Sequence, residues 1–344
     1  MHFKKRLILF GIMSALQLSA FSQDTIAIGL VEVYGARTVS ESAIRKAAGI
    51  EAGQNFPLDS IAIVQLKKRL TAIPGVKRSD IGLICCWGTE RKWMLFEGVS
   101  EKTKDKFSYN PKPTGPARLP KEMIDNSAKI DSARGEAVKN NDAGEDDSKG
   151  HTLMNNAAAR YFQEKYIEYA NQSLSLLRTV LHTSSSDDDR AVAAEIIAYT
   201  KNKKDIVNDL MQSIHDPSPE VRNNATRALG VLTGYAATNP GLGIVIPGEP
   251  FVEMLNSLVW TDRNKALMVL MPLTYHRNKV LLQQLKKEAL PSLIEMAKWK
   301  DPGHIYPAYA ILGRIAGFPE EKIGENFSSA AKDEYLNKII QAIH

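Results

Sequence analysis

Hydrophobic positions follow two different periods along this chain of 344 residues. Residues 26–34 form an apolar, β-branched run that Gly35 ends, which predicts a strand followed by a turn. From about residue 151 onward, apolar positions recur every three or four residues, which predicts amphipathic helices. The pattern therefore divides the chain into a mixed α+β unit, residues 24–100, and an all-α unit, residues 151–344.

Two helices and two further strands are predicted in the mixed unit. Ser40 is a suitable N-cap for a first helix, which Gly49 ends. A second helix begins at Leu58 or Asp59 and ends at Pro74-Gly75. Strand-like runs follow at residues 80–86 and 92–99, with a turn at Gly88 between them. The predicted order is β-α-α-β-β. The buried stripe of the second helix consists of Ile63, Leu66, Leu70 and Ile73.

This order resembles the polypeptide-transport-associated (POTRA) domain. The resemblance implies that the exposed edge of a three-stranded sheet binds extended polypeptide, because edge backbone groups lack partners. Since the rest of the chain is helical, we expect an adaptor role rather than translocation. A small α+β fold without a peptide partner is the alternative. The matching positions are residues 31–35, the helix from Ser40, Gly49 and Gly53 before Phe56, Leu70 with Pro74-Gly75-Val76, and residues 96–101.

Residues 101–150 have the composition of a flexible linker. Four prolines favour an extended spacer rather than a core, namely Pro111, Pro113, Pro116 and Pro120. Residues 121–139 have the composition of a possible helix. The acidic stretch 142–147 lacks the residue order of a Ca²⁺-binding loop, so we interpret it as a solvated loop.

Internal repetition defines the helical unit. The element Asp-Pro-x-Pro-Glu-Val-Arg-x-x-Ala-x-x-Ala-Leu-Gly begins at Asp216, and its Arg-x-x-Ala-x-x-x-Leu spacing returns at Arg263. Asp216, Asp262 and Asp301 are separated by 46 and 39 residues, which is typical of repeated helix pairs. No single pair can bury its apolar face alone, so we expect four to five pairs to stack.

This repetition resembles a HEAT-repeat solenoid, an armadillo-like helical superhelix. Gly150-His151 and residues 260–265 also resemble bacterial secreted HEAT-repeat proteins without an established activity. In such repeats the Asp and Arg side chains link neighbouring repeats. The resemblance therefore implies a structural, inter-repeat role for Asp216, Arg222 and Asp262.

The concave ridge of such a solenoid is the expected surface for a protein partner, because stacked helices expose a continuous row of side chains. Arg263 is alternatively another inter-repeat link. The loop at residues 233–250 is apolar and either packs against the stack or contacts a partner. The candidate partner-binding residues are Asn223, Asn224, Arg263, Asn264 and Lys265.

An export signal occupies the N-terminus. Lys4, Lys5 and Arg6 precede the apolar residues 7–18, and Ala20 and Ser22 place small residues before a cleavage at Gln23. We therefore expect residues 1–22 to be a signal peptide, and the mature protein to be periplasmic, associated with the cell envelope or secreted, without direct membrane insertion. Removing the three basic residues changes the formal net charge from +5 to +2, which does not indicate a nucleic-acid partner.

The two cysteines, Cys85 and Cys86, are adjacent in a predicted strand. Neighbouring strand side chains point to opposite faces, so we expect two unbridged thiols with at least one buried. A disulfide between the two neighbours and intermolecular pairing are the alternatives in an oxidising compartment.

The sequence contains no recognisable catalytic chemistry. The histidines are scattered, and His-x-x-x-His, Gly-x-Ser-x-Gly and a phosphate-binding loop are absent. We assign no catalytic, cofactor-binding or metal-binding residue. The prediction is a noncatalytic adaptor or scaffold that binds protein or polypeptide, with its oligomeric state open. An enzyme with an active site assembled across repeats and a self-associating structural protein are the alternatives.

Overall fold

A computed structural model describes residues 25–344. The predicted signal peptide, residues 1–22, lies outside the described residues. Among the helices of the described chain, none is both long enough and apolar enough to cross a membrane.

The N-terminal unit is a four-stranded sheet with two helices. Its elements are β1 (Thr25–Tyr34), α1 (Glu41–Ala48), β2 (Asn55–Pro57), α2 (Ser60–Thr71), β3 (Arg78–Trp87) and β4 (Lys92–Ser100). The strands lie in the order β2-β1-β4-β3. β1 and β4 are parallel, whereas β1–β2 and β3–β4 are antiparallel. β4 is therefore central, and β3 forms one edge.

Local sequence signals define most of these boundaries. The Ser40 and Asp59 side chains accept the capping hydrogen bonds of α1 and α2, and Gly49 ends α1 with a left-handed backbone. The predicted three-stranded sheet is wrong in one respect, because β2 adds a fourth strand. β2 contains only three residues, which is too short for alternating polarity to reveal a strand.

The two faces of the sheet belong to different cores. Successive strand residues point to opposite sides, and Val31 and Leu95 pack with Ile44 of α1. On the other face, Tyr34 and Phe96 belong to the continuous core of the helical unit. The sheet is thus packed between its own helices and the solenoid.

Helical elements account for most of the remaining chain. The segment between the two units contains α3 (Lys121–Lys139) and a short hairpin, β5 (Glu145–Asp146) with β6 (Leu153–Met154). The solenoid contains α4 (Ala157–Gln172), α5 (Leu174–Thr183), α6 (Asp187–Ile197), α7 (Val207–Ser213), α8 (Pro219–Thr238), α9 (Glu249–Met254), α10 (Trp260–Leu273), α11 (Lys279–Glu288), α12 (Leu290–Ala297), α13 (Pro302–Ile315), α14 (Glu320–Phe327) and α15 (Lys332–Ile343).

The solenoid is a stack of antiparallel helix pairs. The pairs are α5–α6, α7–α8, α9–α10, α12–α13 and α14–α15, with α4 and α11 as additional helices. The second helices α6, α8, α10 and α13 pack side by side in that order. This row is the surface that we call the ridge. The connection after α8 is shorter than the predicted loop because α8 extends to Thr238, and it buries Ile246 while Val245 remains 78% exposed.

Residues 101–120 do not form the predicted flexible linker. They run in extended form along the helix junctions of the solenoid, from Asp262 back toward Asp189. Tyr109 Oη donates a hydrogen bond to Asp262 Oδ2 (3.2 Å), and Leu119 N donates one to Asp189 Oδ1 (2.7 Å). Phe107 and Leu119 are buried. Apolar side chains before and among the prolines therefore attach this segment to the solenoid, which composition alone did not indicate.

The rest of this segment also packs against the solenoid. The predicted helix exists as α3, which lies on α4 and α6 and buries Met123 and Ile130. Residues 140–156, which we call the strap, contain the β5–β6 hairpin and cross toward α8. Glu145 of the strap forms an ion pair with Arg227 of α8 (2.5 Å), and Tyr199 Oη donates to Thr152 O (2.6 Å).

The expectation of two unbridged thiols was wrong. The structure joins Cys85 and Cys86 by a disulfide, and their peptide bond is cis. Neither cysteine is buried, and Cys85 is exposed. Cys85 and Cys86 do not follow the alternation of a regular strand, because the β3–β4 ladder shifts its register between Cys85 and Trp87.

Candidate interaction surfaces

A ladder of buried ion pairs joins the helix pairs of the solenoid. Arg190 donates two hydrogen bonds of 2.8 Å to Asp216, and Arg222 donates two of 2.9 and 3.1 Å to Asp262. Arg263 forms an ion pair with Glu295 at 2.9 Å. Each arginine is the fourth residue of its helix. We call this set the arginine ladder.

All three arginines of the arginine ladder make the same hydrogen bond to a nearby backbone carbonyl. Each guanidinium also donates to the carbonyl six residues earlier, at 2.9 Å for Arg190 and Arg222 and 2.5 Å for Arg263. Asp216 additionally accepts from Ser218 N (2.8 Å), and Asp262 accepts from Ser257 Oγ (2.7 Å). Carbonyls at the junctions and carboxylates of the next pair thereby obtain donors, as buried polar groups require. Asp216, Arg222 and Asp262 thus lie where neighbouring pairs meet.

Arg263 is not available to a partner. Its side chain is only 3% exposed, and its guanidinium lies 4.8 Å from the centre of the Tyr34 ring in addition to its bonds with Glu295 and Ser257. The repeat register places Arg263 at the same position as Arg190 and Arg222. It therefore leaves the set of candidate partner-binding residues and belongs to the arginine ladder.

The junctions after α9 and α12 hold the N-terminal sheet. Tyr34 Oη donates to Leu258 O (2.7 Å), and Gly35 N donates to Glu295 Oε1 (2.6 Å). The contact also includes stacking and edge contacts around the Phe96 ring. Those partners are Trp260 and Trp299, each with its ring centre 4.9 Å away, and His304 at 6.0 Å. These tryptophans therefore fill the space between the sheet and the solenoid.

The other four candidate residues lie on the ridge. Asn223, Asn224, Asn264 and Lys265 are all partly buried. Asn224 Nδ2 donates to Ala191 O (3.0 Å), and Asn223 Nδ2 donates to Asn224 Oδ1 (3.1 Å). Both asparagines line a groove between α3 and the helices α6 and α8. The structure therefore places them beside an open surface that α3 borders.

Beneath the strap lies a cavity that the sequence did not reveal. We call it the strap cavity. Arg134 of α3 donates to Glu195 of α6 (2.7 Å) at its wall. Its polar lining comes from five separate parts of the chain, because α3, the strap, α4, α6 and α8 all contribute. The polar lining residues are Arg134, His151, Thr152, Gln163, Glu195, Tyr199, Asn224 and Arg227.

Two lysines beside the strap cavity have depressed pKa values. Burial lowers the pKa of Lys203 to about 7. Burial, together with the neighbouring Arg227 and Arg134 cations, lowers the pKa of Lys265 to about 8. Lys265 has no carboxylate within ion-pair distance among residues 25–344. Burial therefore makes both lysines easier to deprotonate near neutral pH.

His151 is a buried neutral imidazole. Burial and the Lys203 cation lower its pKa to about 4. Lys203 Nζ lies 2.9 Å from His151 Nδ1. A protonated Lys203 can only donate, which assigns the proton of the neutral ring to Nε2. At neutral pH such a ring is a weak general base, and the Glu195 carboxylate is engaged by Arg134. The cavity is better suited to binding than to proton transfer.

Comparisons with known proteins agree with the helical repeat architecture. A model of HEAT repeats matches residues 174–240, which span α5 to α8. No protein of curated function matches the chain.

Several solved structures of designed proteins are similar to this chain. The designed armadillo repeat protein YIII(Dq)4CqI has 18% identity and a TM-score of 0.37, with 54% of this chain and 94% of that chain covered. The design YIII(Dq.V1)4CPAF in complex with the peptide (KR)4 has 15% identity and a TM-score of 0.36, covering 65% and 98%. A computationally designed armadillo repeat protein for modular peptide recognition has 19% identity and a TM-score of 0.35, covering 64% and 97%.

The helical part of the chain is therefore a solenoid of stacked helix pairs that carries HEAT repeats over residues 174–240.

Proposed function

We propose that this protein is a noncatalytic interaction scaffold of the bacterial cell envelope, with a POTRA-like N-terminal domain that binds extended polypeptide. The observation that carries the proposal is the outer edge of β3. This strand of ten residues pairs with β4 on one side and, within residues 25–344, with no strand on the other. Its outer N–H and C=O groups are therefore available to an added strand.

The contrast between β3 and β4 supports the same proposal. β4 buries six consecutive residues from Met94 to Val99, whereas β3 contains no fully buried residue. A central strand has no room for a new neighbour, but an edge strand accepts one without displacing existing bonds.

A groove beside the start of β3 favours an acidic polypeptide. It lies between α2 and β3, has a volume of about 710 Å³ and includes Lys68, Lys77 and Val64. Neither Lys68 nor Lys77 forms an ion pair among the described residues, so both are available to carboxylates. Val64 and Ile61 of α2 are 49% and 67% exposed, which offers apolar contact beside the charges.

The solenoid forms the second half of the proposal. Its ridge would contact a protein partner through Asn223, Asn224, Asn264 and Lys265, which lie on neighbouring helices. The chain's own α3 and strap already cover the first part of the ridge. The partner surface is therefore the part of the ridge that these segments leave open.

Hydrogen–deuterium exchange tests the strand-addition mechanism. The probe is a synthetic 12-residue peptide in which threonine and valine alternate with glutamate. We expect added peptide to slow the exchange of the backbone amides of β3, because new inter-strand bonds protect them. β4 serves as the internal control and should not change.

Two control peptides separate strand pairing from general attraction. A peptide with an N-methyl group on every backbone amide cannot donate along either edge and should give no protection. A peptide with lysine in place of glutamate should bind more weakly because of Lys68 and Lys77. Protection by the N-methylated peptide equal to that by the parent peptide would contradict strand addition.

Localisation in the cell envelope follows from the predicted signal peptide. We expect the mature protein to begin at Gln23 and to appear in the periplasmic or envelope fraction. N-terminal sequencing of the protein recovered from fractionated cells checks both statements. A mature chain that retains Lys4 to Arg6 in the cytoplasmic fraction would contradict them.

A further inference from the structure

The strap cavity contains more positive charge than its carboxylates neutralise. Arg134 pairs with Glu195, and Arg227 pairs with Glu145, whereas Lys265, which lies outside the cavity lining but near both arginines, has no such partner within the described chain. Both arginine side chains are about one third exposed, at 36% and 31%. Each guanidinium has five N–H donors, so one carboxylate does not saturate it.

An unpartnered donor adds to this charge. His151 is 8% exposed and its Nε2 atom is buried without a hydrogen-bond partner among the described residues. Since Nδ1 accepts from Lys203, Nε2 carries a proton that has no acceptor. A buried donor left in this state costs free energy of about 1–3 kcal/mol unless a ligand or water accepts from it. The cavity therefore lacks an acceptor, and an anion would supply one.

The residues around the strap cavity limit the kinds of ligand that can place an anionic group there. The strap cavity adjoins the groove between α3 and the ridge, which has a volume of about 580 Å³ and shares Arg134, Glu195 and Asn224 with it. Apolar side chains of Ile124 and Val192 line part of this groove. Its other charged members are acidic, namely Asp131, Asp188 and Glu220. These carboxylates disfavour a second negative charge on the body of the ligand.

We propose that the strap cavity binds a single carboxylate group, with an uncharged or basic body of the same ligand in the adjoining groove. The carboxylate accepts hydrogen bonds from His151 Nε2 and Arg227, which line the cavity, and the Lys265 cation near Arg227 adds electrostatic attraction from outside the lining. Either a small aliphatic carboxylic acid or the C-terminal carboxylate of a polypeptide supplies this chemistry. The inference deepens the solenoid half of the proposed function and is independent of the β3 edge.

Calorimetric titration of the purified protein tests this assignment. Hexanoate should bind saturably, and hexanamide, which has nearly the same shape without the charge, should bind at least about tenfold more weakly. The tetrapeptide Ala-Leu-Lys-Val should be compared with its C-terminal amide in the same way. Binding by hexanoate alone identifies a small acid as the ligand, and binding by the free peptide alone identifies a chain terminus.

Charge-removing variants locate the bound carboxylate. Lys265→Met should weaken binding about tenfold or more, whereas Lys298→Met, at an exposed lysine on the same solenoid, should leave it unchanged. Affinity should also fall as the pH rises through about 7 to 8, since Lys203 and Lys265 then lose their charges. If Lys265→Met melts at a lower temperature than the parent, Arg227→Met provides the second measurement.

The inference is overturned if neither probe binds saturably, if acid and amide bind equally, or if Lys265→Met and Arg227→Met both bind like the parent. Carboxylate binding without protection of β3 by the synthetic peptide would count against strand addition alone. Protection of β3 without carboxylate binding would count against this inference alone.

Discussion

The arginine ladder and the strap cavity both contain charged residues of α6 and α8. They differ in how many of their side-chain N–H donors have an acceptor. In the ladder, the side chains of Arg190, Arg222 and Arg263 are at most 3% exposed, and each donates to both a carboxylate and a carbonyl. Arg227 of the cavity has one partly exposed carboxylate partner, and Lys265, outside the lining, has none among the described residues. The ladder arginines and the two other cations lie at different positions along their helices. The ladder arginines are the fourth residues of α6, α8 and α10, whereas Arg227 and Lys265 lie later in α8 and α10.

Residue type alone therefore does not distinguish a structural charge from a binding one. Arg263 and Lys265 are two positions apart, yet one is buried against Tyr34 and the other faces the ridge. A charge whose donors are all used holds the fold together. A charge with unused donors, kept partly away from water, is available to a ligand.

Removal of a ladder carboxylate should produce the largest effect on stability. Asp262→Ala leaves Arg222 buried without its carboxylate and also removes the acceptor of Ser257. We expect a loss of about 3–5 kcal/mol in the free energy of unfolding, which urea denaturation measures. Asp188→Ala, at an exposed aspartate on the ridge, is the matched control and should change stability by less than about 0.5 kcal/mol. A loss below about 1 kcal/mol for Asp262→Ala would show that the ladder does not hold the repeats together.

A buried carboxyl in the N-terminal sheet differs from the carboxylates of the arginine ladder, because it has no hydrogen-bond donor among the described residues. Glu97 lies on central strand β4 on the side that faces α1 and α2, and both its oxygens lack hydrogen-bond partners among the described residues. Burial raises the pKa of Glu97 from 4.5 to about 7, although Arg45 and Arg69 oppose the shift. The folded protein therefore holds a proton that the unfolded chain releases, so stability falls as the pH rises from about 4.5 to 7.

Glu97→Gln should remove this pH dependence. We expect the variant to match the parent near pH 4 and to exceed it by about 3 kcal/mol at pH 8, because an amide cannot ionise. Urea denaturation at the two pH values measures the difference. Glu51→Gln, at an exposed position of the same unit, is the control and should show no such divergence. A variant that is less stable than the parent at pH 8 would indicate that a donor or cation of the folded protein stabilises the ionised Glu97 carboxylate.

The strap ion pair should have the smallest effect. Glu145 and Arg227 are 34% and 31% exposed, and such pairs contribute only about 0–1 kcal/mol. Glu145→Gln should therefore lower the free energy of unfolding by no more than about 1 kcal/mol, with the difference vanishing in 1 M salt. Denaturation at low and high salt checks this expectation. A salt-independent loss above 2 kcal/mol would place this pair with the arginine ladder.

Local patterns predicted much of the fold. The capping residues Ser40 and Asp59 and the terminator Gly49 define helix ends in the N-terminal unit, because a cap acts on backbone groups within a few residues. The spacing of Asp216, Asp262 and Asp301 predicted stacked helix pairs for the same reason, since each repeat carries its own apolar face. The HEAT match over residues 174–240 confirms the repeat prediction.

Segments without such local patterns were misjudged. The prolines of residues 101–120 correctly indicated an extended backbone, but they carry no information about the surface on which it lies. Phe107 and Leu119 are single apolar residues without a period, and their burial depends on pockets at helix junctions far along the chain. The disulfide between Cys85 and Cys86 likewise depends on an irregular ladder that the strand pattern did not predict.

Local sequence patterns were enough to predict the two units, their helices and most strands, and the repeated arginine positions. The burial of Arg263, the course of the strap toward α8, and the meeting of Arg134, His151 and Arg227 in one cavity depend on the packing of the folded chain. The physical reason is the range of the interactions. Hydrophobic period and capping act between neighbours in the chain, whereas a cavity is formed by surfaces brought together from distant segments after those elements have packed.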